Sequence, residues 1–274
     1  MSKMNIKLAA GTDVGLVRTN NEDNYVASPD LAASDWTLTD AVGQTELGKY
    51  GSLLVVADGM GGANAGEVAS EIAVNTIREV FSAGALEEAL QCDDTARQFI
   101  ENAVRTADDN IYKHSKTDEK TRGMGTTIVL CWIVGDKAYI TWCGDSRCYV
   151  FNEGRLTSLS KDHSYVQELV DKGRLSQEEA RKHPYSNIIT RCLGDVSQRA
   201  IPDTHIHTLR DGDIFLICSD GLCGLCDDKE IASVIDQYKD DIVACKNKLI
   251  SAALSAGGYD NVTVALGAVS FAHD

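Results

Sequence analysis

Proline is scarce. Three prolines occur in 274 residues, and no Pro-, Gly- and Ser-rich stretch divides the chain. A linker between two units is therefore not expected, and one domain spanning residues 1–274 is. Positive charge is also in short supply, with 26 Lys and Arg against 41 Asp and Glu and a formal net charge of -15. Such a chain is a poor partner for nucleic acid or an anionic membrane surface, because both are polyanions. No apolar run approaches the ~20 residues that span a bilayer. The longest, Thr126 to Val134, reads as a buried strand instead. Repeats and low-complexity segments are missing as well.

Met1 to Leu8 lacks the apolar run of a secretory signal, and the nine cysteines are odd in number. Free thiols in a reducing cytoplasm are expected from the two together. Cys223 and Cys226 form one CxxC pair, but a structural zinc site needs a second pair or suitably spaced histidines, and neither lies nearby. Buried free cysteines are the expectation. What the chain does have is ordinary globular material: 43% hydrophobic and 24% charged residues, enough to bury a sizeable core.

Periodicity supplies the elements. Ser52 to Ala57 is a short apolar run of strand character. Val68 to Phe81 and Thr95 to Tyr112 repeat apolar residues at helical spacing, for example Ile72, Ile77 and Val80, then Ile100, Val104 and Ile111. Thr126–Val134, Lys137–Cys143, Cys148–Phe151 and Leu156–Leu159 follow as strands, with Gly135-Asp136 and Asn152-Glu153-Gly154 as turns between neighbours. Ile214–Ser219 is another strand, Lys229–Tyr238 and Ile242–Ala256 are helices, and Asn261–Val269 is a last strand. Hairpin strands with helices grouped between them point to an α+β class, with antiparallel sheets covered by helices.

Four segments place a carboxylate at the end of a strand-like run beside Gly or Asn: Asp58-Gly59, Gly144-Asp145, Asp220-Gly221 and Asp260-Asn261. A fifth acidic segment runs from Arg18 to Asp23. Any one Asp-Gly pair is simply a turn signal. Together they carry more, since strands of one sheet bring their ends together and hard cations take several oxygen ligands. A glycine beside the aspartate also lets a backbone carbonyl approach an ion.

In this order the segments resemble the metal-dependent protein phosphatase family, the PPM or type 2C Ser/Thr phosphatases, in its bacterial-type branch. The resemblance rests on Arg18-x-x-Asn21-Glu22-Asp23, then Asp58-Gly59-Met60-Gly61-Gly62 and Gly66-Glu67-Val68-Ala69-Ser70. Gly123-Met124-Gly125-Thr126-Thr127 and Gly144-Asp145-Ser146-Arg147 come next, and Ser219-Asp220-Gly221-Leu222 and Asp260-Asn261 complete the series. Single motifs are weak, but the ordered series from about Thr12 to Val269 is specific. The fold it implies is two stacked antiparallel β-sheets flanked by α-helices, an α-β-β-α sandwich, with a flap segment at about 162–194.

The resemblance also implies roles. Asp58 bridges two Mn²⁺ or Mg²⁺ ions, and the Gly59 carbonyl binds one of them. Asp220 and Asp260 hold the other. Glu22 lies beside the pair through a water, Asp145 joins Asp220 in a third, weaker site, and Arg18 holds the substrate phosphate. Asp23 and Asn261 support these ligands from behind. The implied reaction is hydrolysis of phosphoserine or phosphothreonine by a hydroxide bridging the two ions, with Arg18 and Asp58 as the catalytic pair. Phosphoprotein substrates and a cognate Ser/Thr kinase are the implied partners in signalling, and a monomer is expected. The alternatives are a pseudophosphatase of the same fold acting as a regulatory binding module, and an acidic globular protein whose Asp-Gly pairs are only turns.

The sequence departs from the family in three places. Met60 and Ala63 stand where members carry a histidine that donates the leaving-group proton. That leaves water, or the more distant His163 and His183, as donors. Ser28 to Tyr50 is longer than the usual connection and reads as a surface insertion. Within the flap, Leu169, Val170 and Leu175 are expected as anchors. Lys172, Arg174, Arg181 and Lys182 read either as contacts for a phosphoprotein or as a solvated face.

Overall fold

Strand residues alternate between two environments, and that alternation builds the layers. In the computed structural model, which describes residues 3–33, 36, 41–61, 65–81, 83–117 and 119–272, the strands in chain order are β1 (Met4–Asp13), β2 (Asp23–Ser28), β3 (Ala41–Glu46), β4 (Ser52–Met60), β5 (Gly125–Thr126) and β6 (Ile128–Val134). They continue as β7 (Lys137–Cys143), β8 (Arg147–Asn152), β9 (Arg155–Ser158), β10 (Asp203–Thr208), β11 (Ile214–Cys218) and β12 (Val262–Phe271). One sheet has the order β3-β1-β12-β11-β8-β9 and the other β10-β7-β6-β4-β2, with β5 pairing on β4. Among the described residues each strand pair is antiparallel.

The helices are α1 (Gly66–Val80), α2 (Ala83–Ala89), α3 (Asp93–His114), α4 (Tyr165–Asp171), α5 (Gln177–Arg181), α6 (Asp220–Cys223), α7 (Asp228–Tyr238) and α8 (Ile242–Ser255). Along β4, Leu53, Val55 and Ala57 face α1 and α3, whereas Leu54 and Val56 face the second sheet. Along β11, Ile214, Leu216 and Cys218 pack on α7 and α8, whereas Phe215 and Ile217 lie between the sheets. A period of two on a fully buried strand thus yields three apolar layers and an α-β-β-α sandwich.

The helices begin where their sequences provide caps. Asp227 accepts from the amides of Lys229 and Glu230, and Glu230 returns the bond to the Asp227 amide, a reciprocal capping box. Asp241 caps α8 through the Ala244 amide at 3.0 Å. Trp132 is fully buried between α1, α3 and the sheet, its ring 5.5 Å from Phe81, and its indole N–H donates to the Tyr50 carbonyl at 2.8 Å.

Several elements were not expected from periodicity. β1 lies inside its sheet between β3 and β12, yet its small residues Ala9, Ala10 and Gly11 give a weak apolar signal. β10 is an edge strand, polar with His205 and His207, and edges carry little alternation. The 28–50 segment is more than a surface insertion: β3 adds an edge strand to the first sheet, and Leu31 is buried under the helices. Within the flap region, Val166 and Ala180 are the buried anchors, whereas Leu169, Val170 and Leu175 are only half-buried. The nine cysteines are all free, and Cys223 and Cys226 sit in the apolar layer beneath α7 and α8.

Candidate metal centre

Antiparallel pairing brings the acidic segments to one end of the sandwich. Asp58 lies near the end of β4, and Glu22 precedes β2, which runs back alongside it. Asp220 opens α6 directly after β11, and Asp260 precedes β12, the neighbour of β11. Asp145 sits where the chain crosses from β7 of one sheet to β8 of the other. Glu22, Asp58, Asp145, Asp220 and Asp260 line a single cleft of about 380 Å³, together with Arg18, Gly59, Met60, Gly61, Thr127, Asn187 and Ile189.

Close backbone packing makes this convergence possible. The Gly59 amide donates to the Glu22 carbonyl at 3.1 Å. A Cβ on Gly59 would overlap the carbonyl oxygens of Gly66 and Glu22, so only glycine lets β4, the Glu22 loop and the start of α1 meet. Gly221 is equally constrained, since its Cβ would strike the Asn261 carbonyl.

Polar side chains then hold the loops. Asn261 donates to the carbonyls of Val14 at 3.0 Å and Asn20 at 2.9 Å, and accepts from the Glu22 amide at 2.8 Å. It clasps both ends of the loop that carries Arg18. Ser70 of α1 donates to the Glu22 carbonyl at 2.5 Å, and Thr126 donates to the Asp58 carbonyl at 2.8 Å. In the sequence, Thr126 and Thr127 stand out only as part of a motif, and nothing signals that Asn187 and Ile189 of the flap reach the cleft. Their approach depends on the return of the chain after α5, where Ser164 bridges to Ile189.

The electrostatics of the cleft run in one direction. Burial raises the Asp58 carboxyl well above its usual range, and Asp23, Asp220, Asp145 and Asp260 add to the shift. Burial and Asp220 do the same to Asp145. Asp220 is raised by burial and by Asp260, against a hydrogen bond with Asp58 and the fields of Arg147 and Arg18. Glu22 is raised by burial, with Arg18 opposing. Asp23, behind the cleft, is pushed up to about 7 by burial, although Thr263 and Ser219 both donate to its Oδ2, at 2.6 and 2.7 Å. Among the described residues its Oδ1 is buried without a partner.

Two cations answer this charge. Arg18 pairs with Asp260 at 2.8 Å, and Arg147 is committed to Asp162 through two bonds of 2.7 Å. Buried carboxylates in this excess fit divalent cations, which are bound by oxygen donors. The orphaned Asp23 oxygen and the backbone approach at Gly59 fit the same group. Among the described residues no three Asp, Glu, His or Cys side chains close into a preformed cage. The carboxylates ring an open cleft instead, a geometry that leaves room for the waters Mg²⁺ and Mn²⁺ tend to keep.

The two distant histidines lie elsewhere. His163 is buried, its Nδ1 accepting from the Gly144 amide at 3.2 Å and its Nε2 lying 3.0 Å from Asp203, and burial lowers its pKa. It braces the turn that carries Asp145. His183 packs against Tyr165 and Tyr185 on the flap. Neither lines the cleft, whereas Met60 does. Ala63 lies outside the described residues.

An α-β-β-α sandwich with an acidic cleft at the strand ends defines the class of this protein. It belongs to the protein phosphatase 2C family, whose sequence model matches residues 33–254. The serine/threonine protein phosphatase PstP of Mycobacterium tuberculosis is 33% identical over 259 residues, which is 94% of this chain and 44% of that protein, so the chain spans less than half of that relative's length. The solved serine/threonine phosphatase of S. agalactiae superposes with a TM-score of 0.81 at 33% identity, covering 97% of this chain and 100% of that one. The catalytic domain of PstP in complex with 2 manganese ions superposes with a TM-score of 0.77 at 31% identity, covering 97% of this chain and 99% of that one.

Proposed function

We propose that the chain is a metal-dependent protein phosphatase that hydrolyses phosphoserine and phosphothreonine. The observation that carries this reading is the convergence of Glu22, Asp58, Asp145, Asp220 and Asp260 on one cleft that also holds Arg18. Family membership, and relatives that are serine/threonine phosphatases, support it.

Asp58 and the Gly59 carbonyl would hold one Mn²⁺ or Mg²⁺. Asp58, Asp220 and Asp260 would hold a second, with Glu22 alongside, and Asp145 with Asp220 would take a third. Bound there, the ions supply an acidified water and screening of phosphoryl charge near neutral pH. Arg18 is half-exposed at the mouth and presents its guanidinium to a phosphate dianion, whose oxygens match that planar donor fork. Its pairing with Asp260 aims it across the cleft before substrate arrives. Asn261 and Asp23 keep the loops and strand ends in place, so little reorganisation accompanies binding. Among the described residues no histidine lines the cleft, so protonation of the leaving oxygen falls to water.

We read residues 1–274 as one domain and 162–194 as its flap. Nine free cysteines suit a reducing bacterial cytoplasm, and a monomer that opposes a Ser/Thr kinase in signalling is the matching setting. Among the described residues no helix is long and apolar enough to cross a membrane. No observation favours the pseudophosphatase alternative, since every acidic position of the cleft is filled. The test is to strip metals with a chelator and assay a phosphothreonine peptide with and without Mn²⁺. Activity restored by Mn²⁺ and lost in Asp58→Ala and Asp220→Ala supports the reading. Metal binding without turnover overturns it.

A further inference from the structure

Large hydrophobic side chains are rarely left exposed in a cluster without a partner. Nine are exposed among the described residues, and six of them lie on, or are bonded to, the two segments that carry Arg18 and Asp260 and that carry Asn187 and Ile189 of the carboxylate cleft. On one rim are Leu16, Val17 and Tyr259, at 68%, 61% and 62% exposure. Val17 adjoins Arg18 and Tyr259 adjoins Asp260, so they flank the two ends of the Arg18–Asp260 ion pair. On the other rim are Tyr165, Tyr185 and Ile188, beside the cleft-lining Asn187 and Ile189.

Both rims are built to hold these groups outward. The Leu16 amide donates to the Gly258 carbonyl at 2.7 Å, and Gly258 has a φ of 51°. A side chain on Gly258 would run into Leu16, so the two loops are clasped back to back, and the Asn261 bond to Val14 adds a second tie. Opposite, the Tyr165 amide donates to the Ile188 carbonyl at 2.8 Å, and the Tyr165 and Tyr185 rings lie 6.2 Å apart with His183 packed against both. Preorganised apolar surface of this kind favours binding because little freedom is lost on contact.

Of the flap cations Lys172, Arg174, Arg181 and Lys182, Arg174 is exposed, and the other three are paired within the chain. Lys172 pairs with Glu168, Lys182 with Glu178 and Arg181 with Asp228, so these cations are already answered within the chain. We infer that the two rims form an apolar clamp that selects phosphopeptides with hydrophobic side chains within about two residues of the phosphorylated position. The occupant is a substrate segment, because Val17 and Tyr259 adjoin the Arg18–Asp260 pair where its phosphate would lie, and Ile188 lies between the cleft-lining Asn187 and Ile189. This inference rests on the phosphatase reading.

The test compares two phosphothreonine peptides of equal length and charge on the Mn²⁺-loaded protein, one with Leu and Phe around the phosphothreonine and one with Ser and Gly. The expected kcat/KM ratio is roughly tenfold in favour of the apolar peptide, chiefly through KM. It falls towards one in Leu16→Ser/Val17→Ser and in Tyr185→Ser, with unchanged melting temperatures. Val196→Ser, at an exposed apolar side chain away from the cleft, keeps the ratio. A ratio of one in the unaltered protein, or a preference that survives both rim variants, overturns the clamp. So does a dimer that dissociates in the rim variants while the peptide ratio stays at one, because the patch is then a self-association face. If neither peptide nor p-nitrophenyl phosphate is turned over, the phosphatase reading fails by itself. The same ratio is then read as peptide dissociation constants by fluorescence anisotropy, and equal constants overturn the clamp.

Discussion

Asp23 and Asp58 stand directly opposite each other across the β2–β4 ladder. Opposed residues share a face of the sheet, with their Cβ atoms only about 5 Å apart. After burial, Asp23 does most to raise the Asp58 carboxyl, yet the two do different work. Asp58 reaches the cleft, whereas Asp23 turns to Ser219 and Thr263 and ties the second sheet to the first. Placing like charges opposite each other costs stability, which suits a site arranged for cations.

Asp58→Asn therefore separates stability from function. Activity with Mn²⁺ is expected to fall roughly a thousandfold. The chelated variant is expected to be more stable than the chelated parent by about 1 kcal/mol, a rise of roughly 2–4 °C in melting temperature. Calorimetry in chelator, run beside the peptide assay, measures both.

Asn261→Ala removes two donors and one acceptor from the clasp on the Arg18 loop. The fold persists, because β12 remains paired on both sides. Mn²⁺ affinity is expected to weaken about 10–100-fold, the usual cost of losing a group that orients ligands. Isothermal titration of the stripped protein checks this, and affinity equal to the parent's would show that the loop holds itself.

His163 is a brace for Asp145, and its two nitrogens can be tested apart. Because Nδ1 accepts from Gly144, the ring proton lies on Nε2, facing Asp203. His163→Ala strands the buried Gly144 amide, at a cost of about 1–3 kcal/mol. His163→Asn keeps an acceptor at the Nδ1 position and is expected to recover more of that loss than His163→Gln, which keeps only the outer donor. Denaturant midpoints of the three variants decide the order.

Asp213 supplies a pH prediction away from the cleft. Burial pushes its carboxyl up, but hydrogen bonds from His207, Asn152 and the Arg210 amide outweigh burial and leave it below the usual 3.8. A lowered folded pKa contributes stability that is present above the unfolded value and lost as pH falls through the folded one. Asp213→Asn is expected to cost about 2–3 kcal/mol near pH 7. The gap between variant and parent in denaturant midpoint narrows below about pH 4. A gap independent of pH would mean that packing, not charge, holds this corner.

Much of this protein is legible in the chain itself. The buried strands β4, β6, β7 and β11 and the long helices α1, α3, α7 and α8 follow from periods of two and 3.6, because a residue's own apolar pattern sets its face. Four of the acidic segments are visible for a similar reason: each is local, an aspartate beside a glycine or asparagine at a strand end. β1, β3 and β10 escaped, since small or edge-strand residues carry little pattern and pairing partners far along the chain decide their place.

The cleft is another matter. Arg18 and Asp260 are separated by 242 positions and meet at 2.8 Å only because β1 and β12 are neighbours. The raised carboxyls exist only once burial removes water from charges that antiparallel pairing has brought together. His163 shows the same dependence, since an Asp-His pair in a loop says nothing of which way the ring faces. The sequence determined which residues hold negative charge and where strands end. The tertiary structure decided which of them face one another, because distance and solvent exclusion are properties of the packed chain.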